Sequence, residues 1–372
     1  MKSLSLSSAA LVAAALLHTA VSQPLNEVLA RENNTLSTLN ALLQKQPQLV
    51  SSLTSARNIT VIAPNNDAFN ELLQNQNVAG RVNSDPSFVR DLLMYHVING
   101  TFRSSNFSTE PTFAKTLLTN PASTNVTGGQ VVNVQSNNNT VTIANAYKAV
   151  AQVVKADVEF DGGVVHVVDS VLEIPRSLVD TTTQANLTDL QAALTRANLV
   201  NTLAQSRDIT VFAPNNAAFQ AIASTAQNLS VEDLQSVLSY HVVPGVAYST
   251  IITNGTVKSL EGSNLNLTVE DNGSIFVNGV HVVTPDVLIK NGVLHIVDTV
   301  LMSKDDSGND NSTSSNPTST SGGGGSSGAT GTSTSGGSSS PTGSAASAST
   351  KASAFMALTI AFGIVAMFMN GM

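Results

Sequence analysis

Leucines recur at helical spacing at Leu36, Leu39, Leu42 and Leu43. A second set follows at Leu187, Leu190, Ala193 and Leu194. Each set predicts an amphipathic helical region. A β-branched strand follows each and stops at Ala-Pro-Asn-Asn, at 63–66 and 213–216. Proline fixes the turn, and Asn65 or Asn66, like Asn215 or Asn216, is placed to cap a next helix that buries Phe69 or Phe219. Alternation then predicts hairpins. Val131–Gln135 pairs with Thr140–Ile143 about an Asn-rich turn, and Leu265–Val269 pairs with Ile275–Val277 about Asp271-Asn272-Gly273. Asn278-Gly279 is a further turn signal. Each half closes on an apolar strand around His166 or His295. Helices precede strands without sustained strand–helix–strand alternation, so the predicted class is α+β.

The two halves are one unit written twice. Arg57-Asn58-Ile59-Thr60-Val61-Ile62-Ala63-Pro64-Asn65-Asn66-Asp67-Ala68-Phe69 recurs as Arg207-Asp208-Ile209-Thr210-Val211-Phe212-Ala213-Pro214-Asn215-Asn216-Ala217-Ala218-Phe219. Tyr95-His96-Val97 recurs as Tyr240-His241-Val242, and the run Gly163–Leu172 recurs as Gly292–Leu301. Order is kept and spacing nearly so, at a period too long for a solenoid. The duplication places two domains at 23–178 and 179–302.

Three signatures carry a family resemblance: the strand with Ala-Pro-Asn-Asn-x-Ala-Phe, the central Tyr-His, and Gly-Val-(Val/Leu)-His-(Val/Ile)-(Val/Ile)-Asp-x-Val-Leu. In order and twice over, they resemble the fasciclin domain. The resemblance implies two tandem domains, each a β-sandwich or wedge flanked by helices, of the kind found in secreted or lipid-anchored adhesion and matrix proteins. Asn follows Ala-Pro in both copies where the family often has Ser or Thr, which keeps a capping chemistry.

The ends add a destination. Met1–Ser22 reads as a secretory signal, with Lys2, the apolar Ala9–Leu17 and a small-x-small site at Ala20-Val21-Ser22. Residues 303–343 form a Ser/Thr/Gly-rich stalk whose composition predicts disorder and O-glycosylation. Its G-x-G-x-x-G and G-x-S-x-G matches at Gly323–Gly328 neither follow a strand nor open a helix, and are accidents of composition. Residues 344–372 combine a polar spacer with the apolar Ala354–Met369, after the small trio Gly343-Ser344-Ala345. This is the pattern of a glycosylphosphatidylinositol (GPI) signal, with lipid attached at Gly343 or, as the alternative, Ser344.

Composition narrows the chemistry. The 372 residues carry a net charge of −8 with only 11% charged, no Trp and no Cys. An acidic chain without a basic cluster excludes a nucleic-acid partner. Without Cys there are no disulfides, thiolate metal sites or cysteine nucleophiles. No two histidines stand at i, i+3 or i+4, and no calcium-loop spacing accompanies Glu232-Asp233 or Glu270-Asp271, so neither a metal nor a cofactor is expected.

Binding candidates are few. Tyr95-His96 and Tyr240-His241 resemble the family's adhesion-linked pair, while Tyr and His at the end of an apolar helix also suit a hydrogen-bonded core. His166 and His295, inside apolar strands, read as buried neutral imidazoles bonded to a carbonyl. Asp157-Val158 and Asp286-Val287 fall just before the last strand. An acidic-aliphatic pair there is implicated in receptor binding in animal members of the family, and an Asp holding a turn explains it equally. Acceptors for N-glycans stand at Asn33, Asn58, Asn99, Asn106, Asn125, Asn138, Asn186, Asn228, Asn254, Asn266, Asn272 and Asn311. The expected function is a GPI-anchored surface glycoprotein for adhesion or wall and matrix association. Its partner would be a surface, matrix or wall protein or glycan. The alternatives are a passive wall or vacuolar-lumen glycoprotein and, further off, a secreted hydrolase, for which no nucleophile–base–orienter set is recognisable.

Overall fold

The computed structural model describes residues 23–302. The secretory segment, the stalk, the anchor signal with Gly343 and Ser344, and Asn311 lie outside the described residues. Domain one opens with helices α1 (Leu25–Arg31), α2 (Asn33–Gln44) and α3 (Pro47–Ser55), then β1 (Ile59–Pro64). Three more helices follow, α4 (Asn66–Gln74), α5 (Gln76–Ser84) and α6 (Pro86–Tyr95). The rest is strand: β2 (Val97–Asn99), β3 (Thr112–Lys115), β4 (Val131–Asn137), β5 (Thr140–Ala144), β6 (Val150–Phe160) and β7 (Gly163–Val168).

Domain two repeats the order. It has α7 (Leu178–Gln184), α8 (Thr188–Arg196), α9 (Val200–Gln205) and β8 (Ile209–Pro214), then α10 (Asn216–Ala221), α11 (Ala223–Asn228) and α12 (Val231–Tyr240). Its remaining strands are β9 (Val242–Pro244), β10 (Gly255–Lys258), β11 (Asn264–Val269), β12 (Ile275–Val277), β13 (Val280–Ile289) and β14 (Gly292–Val297).

The sheet of domain one runs β2-β1-β7-β6-β5-β4-β3, and that of domain two β10-β11-β12-β13-β14-β8-β9. A bridge between Ile98 and Thr116 joins the outer strands of domain one, and the Leu260 N–H bonds the Val242 carbonyl at the matching place in domain two. Each sheet therefore curls into a barrel with its edges covered, which removes the exposed strand edges that invite aggregation. The sandwich or wedge implied by the resemblance takes this barrel-like form, with helices packed outside.

Strands β1 and β8 are buried at every residue. Ile59, Val61 and Ala63 face the helices, and Ile62 faces the barrel interior; in domain two Ile209, Val211 and Ala213 face helices and Phe212 the interior. Burial on both faces is why these segments read as continuous apolar runs. Each pairs in parallel with the last strand of its domain. That contact needs glycine: a Cβ at Gly163 or Gly292 would lie 1.8 Å from the carbonyl oxygen of Ile59 or Ile209.

The Ala-Pro-Asn-Asn motif divides its labour. Asn65 and Asn215 cap α4 and α10, accepting from Ala68 and Ala218 N–H at 2.8 Å. Such a cap contributes about 1 kcal/mol. The second asparagine stitches the motif to the preceding helical layer. Asn66 accepts from Thr38 N–H and donates to the Asn34 carbonyl, and Asn216 does the same with Asp189 and Asn186.

Candidate functional site

Four repeated polar pairs act as internal fasteners: Tyr95/Tyr240, His96/His241, His166/His295 and Asp157/Asp286. His96 is 4% exposed and His241 2%. Each donates from Nδ1 to the carbonyl four residues earlier, Leu92 or Val237, at 2.7 Å. Each accepts at Nε2 a backbone N–H from the segment that ends its domain, Leu172 at 2.9 Å or Leu301 at 2.8 Å. The Tyr-His motif and the terminal Val-Leu thus form one clasp. Burial pushes both imidazoles down to about 4, against the weaker opposing effect of the backbone carbonyl. Tyr95 and Tyr240 donate to the Val131 and Asn264 carbonyls at 3.0 and 2.9 Å.

A second fastener joins the last two strands to a crossing loop. His166 Nδ1 accepts the Asp157 N–H at 3.2 Å and Nε2 donates to the Phe102 carbonyl at 2.8 Å; His295 does likewise with Asp286 and Ala247. Both carboxylates clasp a serine by its N–H and hydroxyl, Ser104 for Asp157 and Ser249 for Asp286. Burial alone would raise the Asp157 carboxyl, but the Ser104 hydrogen bonds, with His166 and Arg103 nearby, outweigh it and hold the pKa below the ordinary value. Burial also lowers His295.

These placements bear on two repeated motifs. Tyr95, His96, Tyr240 and His241 are buried and offer a partner no accessible surface, because they close the core. Asp157 and Asp286 do not hold a turn before the last strand. They sit at irregularities within β6 and β13 with φ of 56° and 63°, and their oxygens are taken up by serine. The residues missed from sequence are the other halves of these fasteners, Ser104 and Ser249. Missed too are Thr60 and Thr210, whose hydroxyls donate to Gly100 and Gly245 and accept from Phe102 and Ala247. Their signal was identity between the copies in Ile-Thr-Val.

The glycan acceptors face the other way. Asn33, Asn58, Asn99, Asn106, Asn138, Asn186, Asn228, Asn254, Asn266 and Asn272 are exposed, and Asn125 is half-buried. Asn266 lies within β11 on its outward side, between buried Leu265 and Leu267.

Asn125 belongs to a seam between the domains. Its N–H donates to the Lys290 carbonyl at 2.8 Å, and Gln130, fully buried, donates to the Ile289 carbonyl at 3.1 Å. The Asp208 carboxylate takes both the N–H (2.6 Å) and the hydroxyl of Thr127. Lys148 and Lys290 reach the Pro285 and Ala122 carbonyls across the boundary, at 2.9 and 2.8 Å. Phe113 and Tyr248 stack with centroids 4.2 Å apart. Beside the seam a cleft of 960 Å³ opens between Arg81, Phe88, Tyr147, Glu173, Arg176 and Lys290. Its basic and acidic groups balance. Among the described residues both Tyr-His pairs lie in the core and neither lines this cleft.

The profile of the Fasciclin domain matches residues 34–175 and 185–303. The chain belongs to the fasciclin-domain family. It is 32% identical over 273 residues to a "Fasciclin-like arabinogalactan protein" of Arthroderma benhamiae, covering 73% of this chain and 65% of that one. A second relative, "Fasciclin-like arabinogalactan protein elcF" of Phaeosphaeria nodorum, is 33% identical over 72% of this chain and 85% of its own. Among solved structures, a fasciclin domain pair from the insect cell adhesion molecule Fasciclin I aligns over 74% of this chain and 99% of that one, at 19% identity and a TM-score of 0.36. The two profile matches span both halves of the duplication.

Proposed function

We propose that this chain is a secreted, GPI-anchored surface glycoprotein that associates cells with a wall or matrix through its tandem fasciclin domains, without catalysis. The observation that carries this reading is the division of polar groups. His96, His166 and Asp157, with their counterparts His241, His295 and Asp286, are spent on internal fasteners, while the outer faces present asparagines in glycan acceptor sequences. Both relatives are named as fasciclin-like arabinogalactan proteins, and the Ser/Thr/Gly stalk of this chain offers attachment points for such a decoration. Many weak contacts multiplied by clustering on a membrane would supply avidity.

The contact surface of this reading is a pair of exposed valines close to Asp157 and Asp286. Val154 in β6 is 55% exposed and its counterpart Val283 in β13 is 43% exposed. Each stands three residues before Asp157 or Asp286. Apolar side chains turned to solvent at the same place in both copies suit a partner surface.

Phospholipase treatment of surface-labelled cells tests the anchor: release into the medium is expected, and retention with an intact C-terminal peptide refutes it. Val154→Ser with Val283→Ser should weaken attachment of cells to their substratum without altering thermal unfolding. Unchanged attachment, in these variants and in cells lacking the protein, would favour the passive wall glycoprotein instead.

A further inference from the structure

The seam is built from a part that only domain one possesses. Between Leu117, just past β3, and Gln130, just before β4, domain one has residues 118–129; between the corresponding Leu260 and Ser263, domain two has only 261 and 262. This inserted loop carries Asn125-Val126-Thr127, an acceptor sequence for an N-glycan, and its first and third residues are bonded to the neighbouring domain. Asn125 Nδ2, the atom that would carry the sugar, points to the Gln205 carbonyl at 3.4 Å, and its backbone N–H is held by Lys290. Val126 is 8% exposed, and the preceding Thr124 is 3% exposed and donates to the Lys290 carbonyl. Thr127 is clasped twice by Asp208.

We propose that Asn125 is a modification site at which an N-glycan and the docked arrangement of the two domains exclude each other, so that its occupancy decides whether the domains pack together or stand apart. A sugar bonded to Nδ2 takes one of its two hydrogens and puts its bulk beside the Gln205 carbonyl. With Lys290 pinning one side of the loop and Asp208 the other, the side chain swings clear only by opening the seam. Order of synthesis makes the choice early. Thr127 precedes Asp208 by 81 residues, and domains fold from the N-terminus as they are made. The acceptor is therefore available before its cover exists. A glycan added then keeps Asp208, Lys290 and Gln130 apart from their partners. A site left empty is covered when domain two folds.

Asn58 supplies the contrast, since Asp208 stands at its place in domain two. Both have positive φ, 57° and 52°. Asn58 is exposed and bonds Thr101 within its own domain, so a glycan there meets no second domain.

The inference rests on entry into the secretory pathway. The test uses the full chain secreted from a host that adds N-glycans. Glycopeptide mass spectrometry measures occupancy site by site, and hydrogen exchange of the Asn125 and Thr127 amides measures docking in the separated glycoforms. Chains empty at Asn125, and the Asn125→Gln variant, should protect these amides. Chains occupied there should exchange them at least tenfold faster and scatter X-rays as a longer particle. Equal protection in both glycoforms overturns the proposal. So does an Asn125 left empty in every molecule whose Asn138 and Asn272 carry glycans, an outcome that leaves the secretory reading standing. Chains without any N-glycan overturn both.

Discussion

Domain one and domain two share their interiors and differ at their surfaces. The Tyr-His clasp, the His-Asp-Ser fastener and the glycine contact recur atom for atom, with matching hydrogen-bond distances. Position 58 is an asparagine that bonds its own domain; position 208 is an aspartate that bonds the other. Position 161 is an aspartate whose N–H meets Gln23, and its counterpart Lys290 serves the seam. A polar group inside a closed barrel must find its partner there, because burial without one costs about 1–3 kcal/mol. Duplicated domains therefore keep such groups together. An exposed position has water as an alternative partner, so it is free to be recruited to a new interface.

Four experiments test that comparison. The largest effect belongs to Gly163→Ala and Gly292→Ala. A Cβ at 1.8 Å from a strand carbonyl forces two paired strands apart, and overpacking together with backbone strain should destabilise the affected domain by about 4 kcal/mol or more. Calorimetry reads it. Equal losses in the two domains support an equivalent interior, and a G292A loss that also lowers the domain-one transition measures coupling through the seam.

Acid comes next. The unfolded chain protonates His96 and His241 near pH 6.5, and the folded chain holds them neutral down to about 4. The unfolded state thus binds more protons across that window, and stability falls as pH drops through it. The loss is about 3 kcal/mol for each histidine, complete near pH 4. Each domain holds one such histidine, so both should lose similar stability on acidification. Urea titrations at pH 7 and pH 4.5, followed by proteolytic mapping, compare the two losses. A loss confined to one domain would break the comparison.

The seam is weaker. Asp208→Ala removes both Thr127 bonds and should reduce the coupling between domain transitions by about 1–2 kcal/mol, leaving each domain folded. Asn58→Ala should leave that coupling unchanged. The smallest effect is expected of Phe113→Leu, which removes the stack on Tyr248 and should reduce the coupling by about 0.5–1 kcal/mol. Two-transition calorimetry distinguishes both from the wild type.

Much of the fold was legible because its faces are local. Leu36, Leu39, Leu42 and Leu43 lie on one side of a helix by geometry alone, and all four are buried. The hairpins at Asn138-Asn139 and Asn278-Gly279 were equally readable, since both turn residues take positive φ at 50° and 62° and at 51° and 80°. The candidate site was less legible. Asp157 and Asp286 were visible as a repeated pair, but Ser104 lies 53 residues before Asp157, and no periodicity connects them.

The sequence by itself determined the duplication, the order of elements, the family and the strands buried on both faces, because spacing along a chain dictates which side chains share a face. Tertiary structure decided which of the repeated polar residues were free to meet anything outside. It turned Tyr-His inward, filled the aspartates with serine, and gave Asn125 and Asp208 a common boundary. These contacts join residues far apart in sequence, and closure of the barrels and docking of one on the other bring them together.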